Sequence, residues 1–121
     1  MKATVSHVLR TRAAILATLP ETKIHVVAAV MGLSARKLRR ALASEGYTFR
    51  ELLLQVQHEE AIRLIRARRP LLEIAVELGY SRQSGFARAF KARTNMAPST
   101  YRKRALRHKR PGEDGGDGEG I

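Results

Sequence analysis

The sequence predicts an all-α protein: two helix-turn-helix subdomains joined by a long connecting helix, about seven helices in all. Three observations carry this. Residues are 44% hydrophobic but only 5% aromatic with no Trp, so the core is built from Leu, Ile, Val and Ala, a composition that favours helices over sheets. Apolar positions recur at i, i+3, i+4 and i+7 between glycines and prolines that punctuate the chain. The punctuated pattern also occurs twice. Val27-Ala28-x-x-Met31-Gly32-Leu33-Ser34 matches Ile74-Ala75-x-x-Leu78-Gly79-Tyr80-Ser81 at an offset of 47, and Leu38, Arg40 and Leu42 match Phe86, Arg88 and Phe90 at an offset of 48. The second turn therefore carries one extra residue. Two copies are too few for a solenoid, and a tandem pair of helix-turn-helix units is the better account.

Val5, Val8, Leu9, Ile15, Leu16 and Leu19 mark a first helix that Pro20 closes. The first helix-turn-helix covers about 24–46. Ile24, Val27, Ala28 and Met31 form one stripe ending at Gly32, and Ser34 caps a helix that turns Ala35, Leu38 and Leu42 inward as far as Gly46. Thr48-Phe49-Arg50-Glu51 reads as a capping box opening the connecting helix, about 48–69, with Pro70 as its stop. The second helix-turn-helix covers about 72–95: Ile74, Ala75 and Leu78 lead to Gly79, Ser81 is the expected cap, and Phe86, Ala89 and Phe90 point inward. Asn95 then accepts a left-handed conformation, and Pro98 starts a last helix of about 98–106. Residues 111–121 alternate acids with glycines and predict a disordered tail.

Charge narrows the function. The net charge is +12, and four of the 11 acids fall in the tail, so the residues before 111 carry 23 bases against seven acids. Such an excess calls for a polyanionic partner, with nucleic acid ahead of an anionic membrane. With no Cys and four scattered His, a disulfide framework, a thiolate metal site and a Cys nucleophile are excluded by counting, and a histidine metal site is disfavoured. No cofactor is expected. No apolar run reaches the roughly 20 residues that span a bilayer, so a membrane partner is not expected and the reading is a cytoplasmic, nucleoid-associated protein. Glu51, Glu59, Glu60, Glu73 and Glu77 sit on helices where capping and ion pairing account for them, so an enzyme is not expected.

On a helical wheel at about 100° per residue with Leu38 at zero, Arg36, Arg40 and Ala43 fall outward and Arg39 to one side. Lys37 completes the basic set. The same wheel centred on Phe86 puts Ser84, Arg88 and Lys91 outward, Gly85 and Ala87 on the flanks, and Gln83 beside the buried side. Arg40 and Arg88 thus occupy equivalent outward places. An arginine fork there can bond O6 and N7 of guanine together or grip a phosphate at two points. Along the connecting helix the apolar stripe changes face, from Phe49, Leu52, Leu53 and Val56 to Ala61, Leu64 and Ile65, which lets one helix anchor two small cores. At about 1.5 Å per residue it spans roughly 30 Å, close to the about 34 Å between successive major-groove entries on one side of B-DNA. Arg102, Lys103, Arg104, Arg107, Lys109 and Arg110 form a basic strip, either a solubilising helix end or a phosphate-contacting surface.

The segments MGLSARKLRRALASEGYTFRELL, AIRLIR and EIAVELGYSRQSGFARAFKARTNMAPSTYR resemble the DNA-binding domain of the AraC/XylS family of bacterial transcription regulators. The resemblance covers about Ile24 to Arg102. It implies a homeodomain-like fold, double-stranded DNA as partner, and contacts by Arg36, Arg39 and Arg40 from the first unit and Gln83, Ser84, Gly85 and Arg88 from the second. Lys37 and Lys91 join them as candidate contacts. It further implies a regulator, more often an activator, with RNA polymerase as a candidate second partner, bound as a monomer to an asymmetric site unless the chain is part of a longer one. Gly85 and Ala87 depart from the family pattern by offering no side-chain hydrogen bond. The chain has room for neither a ligand-binding nor a dimerisation domain, so it reads as a single-domain regulator or as a C-terminal fragment. A non-specific DNA-packing or RNA-binding protein is the alternative; it would explain the charge without needing two matched units.

Overall fold

The structure, a computed structural model, describes residues 6–107. Seven helices occupy them: α1 (His7–Thr18), α2 (Ile24–Val30), α3 (Ala35–Ser44), α4 (Phe49–Arg66), α5 (Leu71–Glu77), α6 (Gln83–Thr94) and α7 (Pro98–Arg107). Among the described residues there is no strand. The chain divides into two compact units between Glu60 and Ala61. Val5, Lys109 and Arg110 of the basic strip, and the acidic tail lie outside the described residues.

Local chemistry sets the helix starts. The Ser6 hydroxyl accepts from the Leu9 N–H at 3.0 Å and the Ser34 hydroxyl from the Lys37 N–H at 3.1 Å, each satisfying a donor that the first helical turn leaves unpaired. Thr48 and Glu51 form the reciprocal pair the sequence predicts, Glu51 N–H to Thr48 Oγ1 at 3.1 Å and Thr48 N–H to Glu51 Oε1 at 2.9 Å. The start of α6 departs from expectation. Its N-cap is Arg82, extended at φ −142°, ψ 149° and without a side-chain cap bond, rather than Ser81. The extra residue of the second turn lies ahead of the cap, so the offset of 48 from Ser34 lands on Arg82.

Four helices end on one hydrogen-bond pattern in which a left-handed residue sends its N–H three residues back and its successor bonds five back. Gly32 and Leu33 bond the carbonyls of Ala29 and Ala28; Gly79 and Tyr80 bond those of Val76 and Ala75. Their φ values of 76° and 94° are open to glycine at little cost. Gly46 and Tyr47 repeat the pattern after α3. After α4 it recurs without a glycine: Arg68 takes φ 64°, and Arg69 N–H bonds the Leu64 carbonyl at 3.1 Å. The connecting helix consequently stops at Arg66 rather than 69, and Pro70 serves as N-cap of α5 instead of as its stop.

The first unit closes over Ala14, Ile15, Val27, Ala28, Leu38, Leu42, Leu52 and Val56, with Val8, Ile24, Met31, Leu33, Phe49 and Leu53 packed against them. α1 presents Thr11, Ala14 and Ile15 inward. Leu9 and Leu16, two of the apolar residues that mark this helix in the sequence, are 61% and 50% exposed, because each follows an inward position by one residue and is turned about 100° away. Thr11 is fully buried, its hydroxyl 3.5 Å from the Met31 sulfur. Arg12 fastens α1 to α4, donating to Gln55 Oε1 at 2.8 Å and to Glu59.

In the second unit Ala61, Leu64, Ile65, Ile74, Ala75, Leu78, Phe86 and Phe90 are buried. An aromatic ladder runs through it, with ring centroids 5.8 Å apart for Tyr80 and Phe86, 5.9 Å for Phe86 and Phe90, and 5.4 Å for Phe90 and Tyr101. The last two pairs meet edge to face, the arrangement ring quadrupoles favour. Arg69 pairs with Glu73 and Glu77, and Arg102 of α7 donates to the Arg69 carbonyl, fastening the last helix to the start of α5.

Candidate nucleic-acid interface

In the first unit the candidate face is α3. Leu38 and Leu42 are buried, and this inward stripe forces Arg36, Lys37, Arg39 and Arg40 to the exposed side. In the second unit Phe86 and Phe90 do the same for α6, leaving Gln83, Ser84, Arg88 and Lys91 exposed and Gly85 half-buried. Gln83 corrects the wheel, which put it beside the buried side. As the first residue of α6 its side chain leans toward the N-terminus, past the end of the helix and away from the core. Each helix gathers its own set of candidates.

The basic residues fall into two classes by partner. Arg12 and Arg69 are held by Glu59 and by Glu73 with Glu77, and Arg102 by a backbone carbonyl. The hydrogen bond that Arg69 donates to Glu77, the charge of Glu77 and the weaker contribution of Glu73 raise the Arg69 guanidinium above its ordinary pKa. By contrast, among the described residues no ion pair engages the side chains of Arg36, Lys37, Arg39, Arg40, Arg88 or Lys91. Their charge is available to a polyanion without an internal bond being broken. Arg82 belongs with them by exposure, and it precedes Gln83 at the mouth of α6. Ser81, a cap by residue type, masks this place in the sequence, whereas the offset of 48 from Ser34 marks it.

α3 is also braced at its far end. Glu45, its C-cap, accepts from the backbone N–H of His7 at 3.0 Å and of Val8 at 3.2 Å, with the His7 Nδ1 at 3.1 Å. A carboxylate thereby sits at the positive end of α1 while holding the end of α3. Burial pushes the Glu45 carboxyl up, but the two backbone donors and the His7 ring together outweigh it and hold its pKa below the ordinary value. No sequence motif marks this contact, since the partners lie 38 residues apart.

Among the described residues no group of three or more His, Cys, Asp or Glu could hold a metal ion, and no helix is long and apolar enough to cross a membrane.

Comparison with known proteins agrees with this geometry. A helix-turn-helix domain family matches residues 27–104. The chain is 42% identical over 71 residues to the ornithine utilization regulator of Pseudomonas aeruginosa, a match covering 58% of this chain and 21% of that protein. Among solved structures, the C-terminal domain of AraT, a response regulator from Geobacillus stearothermophilus, superposes with a TM-score of 0.71 at 29% identity, covering 85% of this chain and 88% of that one. A DNA-binding transcriptional dual regulator from Escherichia coli K-12 shares the fold with a TM-score of 0.79 at 22% identity, over 88% of this chain and 97% of that one. This chain thus spans about a fifth of the length of the curated relative it matches.

Proposed function

The chain belongs to the AraC-type helix-turn-helix family of DNA-binding transcription regulators, and from that premise we propose that it binds double-stranded DNA sequence-specifically through α3 and α6. In this reading residues 1–110 are the DNA-binding domain, and the two helices enter successive major grooves of one asymmetric site, bound by a single copy of the chain. Arg36, Lys37, Arg39 and Arg40 contact bases or phosphates from α3; Gln83, Ser84, Gly85, Arg88 and Lys91 do so from α6, with Arg82 as an added candidate. The protein acts on the nucleoid in the cytoplasm as an activator, and RNA polymerase is its second partner.

The observation that carries the reading is the matched pair Arg40 and Arg88. Both are exposed, both lie outward of a buried stripe, and each follows a helix that ends in the same left-handed glycine turn. A protein that only neutralised phosphates would gain from positive charge anywhere on its surface and would not need two such placements. Each arginine on a base edge is worth about 1–3 kcal/mol of discrimination.

Selection of sites from a random duplex pool, followed by footprinting at fixed salt, tests the reading. The expected result is an enriched, non-palindromic sequence protected over two segments about 10 bp apart by one chain. A palindrome occupied by two chains would overturn the single-copy arrangement, and no enrichment at all would leave a non-specific packing protein.

A further inference from the structure

Gly85 stands apart from the glycines of the turns. Its φ lies outside the left-handed region that Gly32, Gly46 and Gly79 occupy, so its backbone conformation does not require glycine. Crowding does not require it either. A Cβ built there meets only the Tyr80 ring carbon Cδ1, at 3.8 Å, an ordinary van der Waals contact. Inside a helix, glycine is the poorer choice, costing conformational entropy that alanine would not. No internal contact therefore explains it.

The repeat supplies the comparison. Counting back 48 places Gly85 on Lys37, which follows a side-chain cap and carries a long, exposed side chain in the first turn of α3. The corresponding turn of α6 begins Gln83-Ser84-Gly85, with Gln83 and Ser84 exposed and Arg88 exposed one turn on. Over equivalent positions α3 carries Arg36, Lys37, Arg39 and Arg40, whereas α6 carries Ser84, Gly85, Ala87 and Arg88, so that only the last keeps a long cation and the first turn presents bare backbone at Gly85. Glycine in such a place serves a close approach of the helix backbone to a ligand.

We infer that Gly85 is a specificity-determining residue that lets the first turn of α6 lie against the base edges of duplex DNA, closer than α3 with its long side chains lies to its own groove. The inference rests on the DNA-binding reading above. It carries an unusual signature: filling the position improves the fold and damages recognition. Arg88 keeps its reach only while the backbone one turn before it stays close, so added bulk at 85 lifts both from the groove.

Gly85→Ala and Gly85→Ser, compared with the unchanged chain, test this by urea unfolding and by binding to the selected duplex and to random duplex at one salt concentration. Gly85→Ala is expected to unfold at a urea concentration no lower than the unchanged chain, and to bind the selected duplex about tenfold more weakly, the scale of one mismatched base pair. Affinity for random duplex should stay within about twofold, since no charge changes. Gly85→Ser should lose more of the selected affinity than Gly85→Ala. A Gly85→Ala chain that unfolds more easily would show that the fold itself needs glycine, and one that binds the selected duplex as tightly as the unchanged chain would show that nothing approaches the position; either overturns the inference alone. Failure of the unchanged chain to prefer any duplex would instead overturn the DNA-binding reading together with it.

Discussion

The first unit packs aliphatic side chains around Ile15, Leu38 and Leu42, whereas the second threads Tyr80, Phe86, Phe90 and Tyr101 into an aromatic ladder. The exposed helices α3 and α6 differ in the same spirit. α3 is capped by Ser34 and projects four long cations; α6 starts at Arg82 without a side-chain cap bond and opens Gln83-Ser84-Gly85. The backbone solution is nevertheless shared, down to the left-handed glycine and the bond five residues back. A helix-turn-helix is therefore specified by its turn and by the spacing of its buried positions. Core chemistry and outward chemistry remain free to diverge, and that freedom lets one chain carry two unlike outward faces.

The largest effects should come from the cores. Leu38 and Phe86 occupy equivalent places and are 0% and 2% exposed. Leu38→Ala should cost about 2–5 kcal/mol and Phe86→Ala about 3–5 kcal/mol of unfolding free energy. Phe86 should lie at the upper end because it loses two ring contacts as well as volume. With no Trp in the chain, tyrosine fluorescence during urea unfolding reads both. A Leu38→Ala loss as large as that of Phe86→Ala would erase the energetic distinction between the two cores.

Next come the two matched arginines. Arg40→Ala and Arg88→Ala should each weaken binding to a selected duplex by about 1–3 kcal/mol while leaving stability nearly unchanged, as expected of exposed side chains. Equal losses on selected and random duplex would reduce both to phosphate contacts. A loss confined to Arg40 would make α3 the sole reader.

The caps give a smaller and cleaner contrast. Ser34→Ala should destabilise by about 1 kcal/mol, because it strands the Lys37 N–H. Ser81→Ala should stay within about 0.5 kcal/mol, since Ser81 does not cap α6. Arg82→Ser should raise stability by supplying the acceptor that α6 lacks. Thermal unfolding of the three variants ranks them, and a Ser81→Ala loss matching that of Ser34→Ala would restore the simpler alignment of the two turns.

The smallest effect is specific to the first unit. Glu45 has a folded pKa below its unfolded value, so its contribution is fully present above the unfolded carboxylate pKa and disappears as pH falls through the folded one. Glu45→Gln should unfold at lower urea than the unchanged chain near pH 7, and the two midpoints should converge as acidification passes below the ordinary carboxylate range. A gap that stays constant with pH would assign the effect to shape instead of charge.

Much of this molecule is local and could be read directly. Glycine at 32, 46 and 79 marks a left-handed helix end because a side chain there costs energy, and Asn95 at φ 64° ends α6 for a related reason. The Thr48–Glu51 box closes within four residues. Inward positions of α3 and α6 follow from the 3.6-residue period, and with them the outward place of Arg40 and Arg88. Where competing local signals were both allowed, sequence could not choose. Ser81 is the better cap by type, yet the extra residue must be absorbed somewhere in the turn, and the packing of Tyr80 against Phe86 accompanies its placement ahead of Arg82. Arg68 adopts a conformation its type disfavours, at the end of a helix whose last buried residues are Leu64 and Ile65.

The sequence by itself determined the helices, the two turns and the existence of two cationic faces, because each depends on residues a few places apart. Only the tertiary structure decided that Leu9 and Leu16 face outward, that Thr11 is buried beside the Met31 sulfur, and that Arg12, Arg69 and Arg102 are held internally while the α3 arginines are not. It alone joined Glu45 to the start of α1 across 38 residues. The physical reason is range: a helical period or a cap is satisfied within one or two turns, whereas the partner of a long side chain depends on which distant element packing brings within reach.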